Sequence, residues 1–236
     1  MAKNVILFDL GGTLVHYFEM SEFPYIHKQC ITEVEGYLNK KGLLKISSEM
    51  IWNKIKERDG VSRDYRVKHL EERLSRIFQV DSSDDELLLI MCRYFMKPIF
   101  ARGRRYEDTI PVLQELKSRG FRMGIISNLP WGSPSVLWRE ELKRQGLDEF
   151  ADAVFCSDVG WRKPAEQIFR YALNKWNVKP EDCVFIGDDP IWDIAGPRAV
   201  GIEAILIDRK GVNKNQDNEL YITNLTELLI KPKLLE

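Results

Sequence analysis

No stretch of this sequence is apolar for anything approaching the roughly 18 residues that a membrane-spanning helix requires, which excludes that class of protein. A positively charged leader followed by an apolar stretch and a cleavage site is also missing ahead of Asp9, so the expected location is the cytoplasm. Charge of one sign is not in excess. The 35 basic and 36 acidic residues are interspersed and leave a net charge of −1. Such a chain presents no basic field to a polyanion, and nucleic acid is not an expected partner. Arg102-Gly103-Arg104-Arg105 is the one dense basic run and reads as a solvated junction, the alternative being that one of its arginines faces an anionic substrate at the mouth of a site. The four cysteines, Cys30, Cys92, Cys156 and Cys183, form no C-x-x-C pair, as expected of reduced thiols in a core. Tandem repeats and low-complexity stretches are absent as well.

What is present suits a globular enzyme. The 236 residues, 44% of them hydrophobic, suffice for one domain or one domain with an insertion. Val5-Ile6-Leu7-Phe8 has no polar alternation and reads as a strand buried on both faces, as in a parallel α/β sheet. Asp9 follows at its carboxyl end, where ligands bind in such sheets. Gly11 and Gly12 let the backbone bend sharply, and Thr13 offers a hydroxyl to an anion. That placement suggests a nucleophile.

Three further segments supply partners. Phe121 to Ser127 is a second apolar strand, ending in a hydroxyl. Lys163 precedes Pro164 at the start of a helix predicted over Ala165 to about Trp176. Cys183 to Gly187 is a third apolar strand, and it breaks into Asp188-Asp189 with Asp193 shortly after. Carboxylate oxygens suit Mg²⁺, and hydroxyl and ammonium groups suit phosphoryl oxygens, so the constellation describes a site for a phosphate and a divalent cation.

In these four motifs, by type and order, the chain resembles the haloacid dehalogenase superfamily of phosphotransferases. The resemblance covers residues 1 to 15 and 101 to 210, and 16 to 100 fits the place where that family inserts a helical cap. It implies an α/β, doubly wound, Rossmann-like core over 1–15 and 101–236 with an α-helical cap over 16–100. It also implies a Mg²⁺-dependent phosphohydrolase acting on a small phosphorylated metabolite through an aspartyl-phosphate. By resemblance Asp9 is the nucleophile, and Ser127 and Lys163 hold the transferring oxygens, with Thr13 and Asn128 also on the phosphate. Asp9, Asp188 and the Gly11 carbonyl are implied as metal ligands, with Asp189 and Asp193 outside them. No membrane partner is expected, and the molecule is expected to be a monomer or homodimer.

One departure matters. Most phosphatases of the superfamily carry a second Asp, the general acid, where this chain has Gly11. General acid–base help is typically worth about 10²- to 10⁴-fold, so its loss slows turnover without abolishing nucleophilic attack. Two alternatives stay open: a metal-independent 2-haloacid dehalogenase, suggested by Trp192-Asp193, and a weakly catalytic phospho-ligand-binding homologue, suggested by Gly11. The acidic Asp188 and Asp189 speak against the first, and the retained Asp9 against the second.

Between the first two motifs the periodicity is helical. Helices are expected over Phe23 to Lys41; from Ser47 and Ser48 to about Arg58, stopping at Gly60; along the Val67, Leu70, Leu74, Ile77, Phe78 stripe; and over Leu87 to Phe95, with Ser83 to Glu86 as a capping box and Pro98 as the stop. After Arg105, helix and strand alternate: a helix to Lys117, a strand to Ser127, a helix over Ser135 to Gln145, a strand over Asp152 to Ser157, the helix to Trp176, the strand to Gly187, a helix over Ile191 to Val200, a strand over Ala204 to Asp208 and a helix near Leu225 to Leu229. Trp131, Trp161 and Trp192 lie near motifs two, three and four, where they either rim a pocket or pack at the junction with the helical insertion. His16 and Tyr17 fall beside the first motif, within reach of a ligand, although a lone His there is more often a packing or surface residue.

Overall fold

The computed structural model describes residues 3–57, 64–211 and 220–235. Strand β1 (Val5–Phe8) is buried at every position and leads through a tight turn into the short β2 (Val15–His16). Four helices follow: α1 (Phe23–Lys40), α2 (Ser48–Lys56), α3 (Leu70–Phe78) and α4 (Asp85–Phe100). Strand β3 (Arg104–Arg105) returns antiparallel to β2 and closes this helical insertion. Alternation then begins with α5 (Thr109–Ser118), β4 (Arg122–Ser127), α6 (Ser135–Arg144) and β5 (Asp152–Phe155). It continues with α7 (Cys156–Val159), α8 (Glu166–Trp176), β6 (Cys183–Gly187), α9 (Gly196–Ala199), β7 (Glu203–Ile207), β8 (Tyr221–Ile222) and α10 (Glu227–Ile230).

The main sheet runs in the order β5-β4-β1-β6-β7-β8, all parallel. Strands β1, β5 (from its second residue) and β6 are buried because helices cover both faces of such a sheet, which is why they carry Val, Ile, Leu and Phe without alternation. Strand β1 lies between β4 and β6, so the chain leaves it first to one side and later to the other. That reversal opens a crevice beyond its carboxyl end. Among the described residues no helix is long and apolar enough to cross a membrane. All four cysteines are free and buried, and burial pushes the thiols of Cys30 and Cys183 up to about 12.

Several expected boundaries shift for local reasons. Pro98 does not stop α4, which runs to Phe100 because the proline sits in its last turn and the Ala101 N–H still reaches the Lys97 carbonyl at 3.0 Å. Asp84, not Ser83, caps that helix by accepting from the Leu87 N–H at 3.0 Å, while Ser83 bonds back to Asp81. Ser47 caps α2 as expected, by accepting from the Met50 N–H; the expected stop at Arg58 and Gly60 lies outside the described residues. The strand expected to reach Ser157 ends at Phe155, where the chain coils into α7 and closes at Gly160. The helix expected over Ile191 to Val200 is a π-helical turn over Pro190–Ala195 followed by α9. Strands β2, β3 and β8 are too short to leave a periodic signal.

Several contacts fasten the insertion to the sheet domain, among them the Arg93 guanidinium of α4 paired with the Glu140 carboxylate of α6. Trp131, in the loop after β4, stacks on Phe95 of α4 at 5.3 Å and meets the tilted ring of His27 of α1 at 4.1 Å, centroid to centroid. Burial there pushes the His27 imidazole down to about 4, so it is neutral at neutral pH. Another contact is a pair of main-chain hydrogen bonds, Val67 N–H to the Gly160 carbonyl at 3.0 Å and Arg162 N–H to the Tyr65 carbonyl at 2.9 Å. The Arg66 guanidinium lies 4.0 Å over the Trp161 ring beside them.

Candidate active site

Strand ends bring together side chains from distant parts of the sequence. Asp9 is fixed where β1 passes β6, its N–H donating to the Ile186 carbonyl at 2.9 Å. Ser127 ends β4, Asp188 follows β6, and Lys163 arrives from the loop between α7 and α8. Lys163 is 2% exposed, and its Nζ donates to Asp9 Oδ1 and to Asp193 Oδ1, each at 2.6 Å. Its main chain is braced as well. Asn128 Oδ1 accepts from the Lys163 N–H at 2.8 Å, and Asn128 Nδ2 donates to the Lys163 carbonyl at 3.1 Å.

Burial by itself would lower the Lys163 pKa, but the charges of Asp193 and Asp9 outweigh it and hold the ammonium above its ordinary value. Burial raises Asp193 despite Lys163. Asp188 opens to the cavity yet has protein on most sides, and that enclosure, with the charges of Asp9 and Asp193, raises it too. Three carboxylates thus face one ammonium. Oxygens of Asp9, Asp188 and Asp193 lie within 4.8 Å of one another, a donor set that fits a hard divalent cation such as Mg²⁺. Asp193 spends one oxygen on Lys163 and the other on the Asp189 N–H at 3.1 Å, which leaves Asp188 and the second oxygen of Asp9 for the ion.

Glycine makes this approach possible at two positions. Gly12 has φ +86°, and a Cβ there would stand 2.6 Å from Asp188 Cγ. A Cβ on Gly187 would stand 2.5 Å from Asp193 Cγ. Gly11 is different. A Cβ there would meet only Tyr17 Cδ2, at an ordinary 3.7 Å, so the bend of this turn rests on Gly12 alone.

A cavity of about 450 Å³ opens over the cluster, lined by Asp9, Gly11, Ser127, Asn128, Lys163, Asp188, Asp189 and Asp193 among others. Thr13 is not part of that lining. The turn buries it completely, its hydroxyl finds no partner among the described residues, and its carbonyl accepts from Arg209 Nε and Nη2. Asn128 is there, but its amide is engaged with Lys163, so a contact to phosphate would fall to its main chain. Asp189 caps the π-helical turn, accepting from the N–H groups of Ile191 and Trp192. Of the three tryptophans near the motifs, only Trp192 lines the cavity; Trp131 and Trp161 pack at the junction with the insertion. The Arg102 to Arg105 run stays outside the lining.

Sequence reasoning missed Tyr106, Arg209, Lys210 and Glu19, which also line the cavity. No periodicity marks them: Arg209 and Lys210 follow β7, and Glu19 sits between β2 and α1. Tyr17 and His16, noticed only as neighbours of the first motif, line it as well. The Tyr17 hydroxyl donates to Glu141 Oε1 at 3.3 Å, and Arg144 and Gln145 hold Glu141 in turn.

Residues 3–201 match the family of haloacid dehalogenase-like hydrolases. The chain belongs to that family. Over 230 residues, 95% of the chain, this hydrolase is 29% identical to a glyceraldehyde 3-phosphate phosphatase of Methanocaldococcus jannaschii, whose length it covers to 94%. It is 37% identical to the enzyme of that name from Methanothermobacter thermautotrophicus over 55% of its own length and 59% of the relative's. Among solved structures, the hydrolase matches a HAD phosphatase from Thermococcus onnurineus with TM-score 0.64 and 25% identity, covering 99% of each chain. A 2-haloacid dehalogenase of Pseudomonas syringae pv. Tomato DC3000, 23% identical with TM-score 0.66 over 100% and 98% of the two chains, shares the fold.

Proposed function

We propose that this hydrolase is a Mg²⁺-dependent phosphatase of small phosphorylated metabolites, working in the cytoplasm through an aspartyl-phosphate on Asp9. The observation that carries this reading is the buried Lys163 ammonium bonded at 2.6 Å to both Asp9 and Asp193, beside the Asp188 carboxylate and beneath the cavity. Relatives named as phosphatases of glyceraldehyde 3-phosphate and, in Thermus thermophilus, of phosphoserine support a small phosphorylated substrate. Four buried free thiols suit a reducing compartment.

In this mechanism the Asp9 oxygen held by Lys163 attacks phosphorus, and an Asp9–phosphorus bond forms as the ester P–O bond breaks, while the second Asp9 oxygen stays turned toward the cation. Lys163 and Ser127 bind the non-bridging oxygens, on which charge is spread in the transition state. Asp193 and Asn128 keep Lys163 in place. Asp9, Asp188 and the Gly11 carbonyl would hold Mg²⁺, which when bound would neutralise charge on the phosphoryl oxygens. Water then attacks the aspartyl-phosphate and frees Asp9. The helical insertion, residues 16–100, serves as the cap that excludes bulk water.

Asp9→Asn is expected to abolish hydrolysis of p-nitrophenyl phosphate while leaving the circular-dichroism spectrum unchanged, because the amide is nearly isosteric and not nucleophilic. EDTA should suppress wild-type activity and Mg²⁺ restore it. Full activity in chelator, with chloride released from 2-chloropropionate, would identify a dehalogenase instead.

A further inference from the structure

An alkyl phosphate releases an alkoxide, a very poor leaving group unless a proton reaches it as the P–O bond breaks. Gly11 has no side chain to bring one, so the proton must come from elsewhere in the cavity. Most titratable groups there are otherwise engaged. The Tyr17 hydroxyl donates to Glu141, and burial together with Glu141 raises its pKa well above the ordinary phenol value. Tyr106 is raised by burial and lies under the Arg209 guanidinium, 3.7 Å from its ring centroid. Glu19 is lowered by its ion pair with Lys210. Asp189 caps two N–H groups, and Asp208 accepts from the Lys210 N–H and the Tyr221 hydroxyl.

His16 is not engaged in this way. It is the last residue of β2, half-buried, lines the cavity and turns its ring edge-on to Tyr106 at 6.3 Å. Its ring nitrogens make no hydrogen bond to another described residue. The groups facing it are Tyr106 with Arg209 behind it, Glu19 with its partner Lys210, and Arg104 across the β2–β3 pairing. Imidazole is also the side chain suited to give and take a proton near neutral pH.

We propose that His16 is the proton carrier of this site, in place of a carboxylate at position 11. In the first step the imidazolium gives its proton to the departing alkoxide oxygen as the Asp9–phosphorus bond forms. In the second, neutral His16 takes a proton from the water that attacks phosphorus; the bond to Asp9 breaks, orthophosphate leaves, and the imidazolium is restored. The inference rests on the phosphatase reading above, and the test separates the two.

The experiment compares wild type, His16→Gln and His16→Asn on matched alkyl and p-nitrophenyl phosphates with Mg²⁺, across pH 5 to 8.5, by steady-state and stopped-flow kinetics. For alkyl phosphates kcat should fall roughly 10²- to 10⁴-fold with KM little changed, and its pH dependence should flatten. With p-nitrophenyl phosphate, whose leaving group needs no proton, both variants should release a burst of nitrophenol close to one per enzyme and then turn over slowly, because the second step has lost its base. Alkyl turnover within threefold of wild type, an unchanged pH profile, or steady p-nitrophenyl turnover without a burst would each overturn the assignment to His16. Wild type inert towards p-nitrophenyl phosphate would instead refute the phosphatase reading.

Discussion

Two adjacent glycines in the first motif carry different burdens. Gly12 adopts a left-handed backbone and leaves room for the Asp188 carboxylate, whereas Gly11 has an ordinary backbone and open space as far as the Tyr17 ring. Gly12→Ala is therefore expected to cost about 1–3 kcal/mol in strain and, by displacing Asp188, to weaken Mg²⁺ binding at the proposed site; thermal melting and calorimetric titration with Mg²⁺ would show the two losses. Gly11→Asp should fold normally. If a proton on the leaving oxygen limits the wild type, the new carboxylate should raise kcat more for alkyl than for aryl phosphates, up to about 10²- to 10⁴-fold. Equal or lower alkyl rates in a folded variant would show either that another group, as proposed for His16, already supplies the proton or that hydrolysis of the aspartyl-phosphate limits turnover. Tyr17 bounds that gain, because its ring, fixed edge-on to Trp138 at 5.3 Å, must tolerate the added carboxylate.

Loops between elements set the position of Lys163, the one buried cation among the described residues. Lys163 stands on the α7–α8 loop, and the end of β4 reaches across to it through the two Asn128 hydrogen bonds. Removing that amide leaves a main-chain N–H and a carbonyl short of partners, a cost of about 1–3 kcal/mol. Asn128→Ala should reduce kcat by about tenfold or more with a smaller change in KM, as expected of a brace that acts through Lys163. A rise in KM at unchanged kcat would place Asn128 on the substrate instead. On the other side of the cavity, Arg209 after β7 bonds the Thr13 carbonyl and pairs with Asp108 at 3.0 Å, tying the first-motif turn to the start of α5.

For the molecule as a whole, the helical insertion and the sheet domain meet through aromatic packing, main-chain bonds and the Arg93–Glu140 ion pair. Phe95 is fully buried at that junction, against Trp131 and His27. Phe95→Ala should cost about 3–5 kcal/mol, which for a chain of this size lowers the melting temperature by about 6–20 °C. The same change should raise KM, since loosening the insertion opens the cavity to water. A loss of stability with kinetics intact would show that the junction is structural only.

The sequence alone was enough to mark the residues that the fold gathers at the strand ends. Asp9, Ser127, Lys163, Asp188 and Asp193 were legible because each ends or closely follows an apolar strand or, for Lys163, stands a few residues ahead of a helix, and a doubly wound sheet places strand ends on one side. The alternation of elements was legible for the same reason, since strands covered on both faces lose their polar residues. Tertiary structure decided what local pattern does not encode. It buried Thr13 away from the cavity, turned Asn128 onto Lys163, let α4 run past Pro98, and brought Tyr17, His16, Glu19, Arg209 and Lys210 to one rim from separate short segments. Those residues sit in turns and two-residue strands, where a side chain's neighbours are set by packing between distant parts of the chain and leave no periodicity to read.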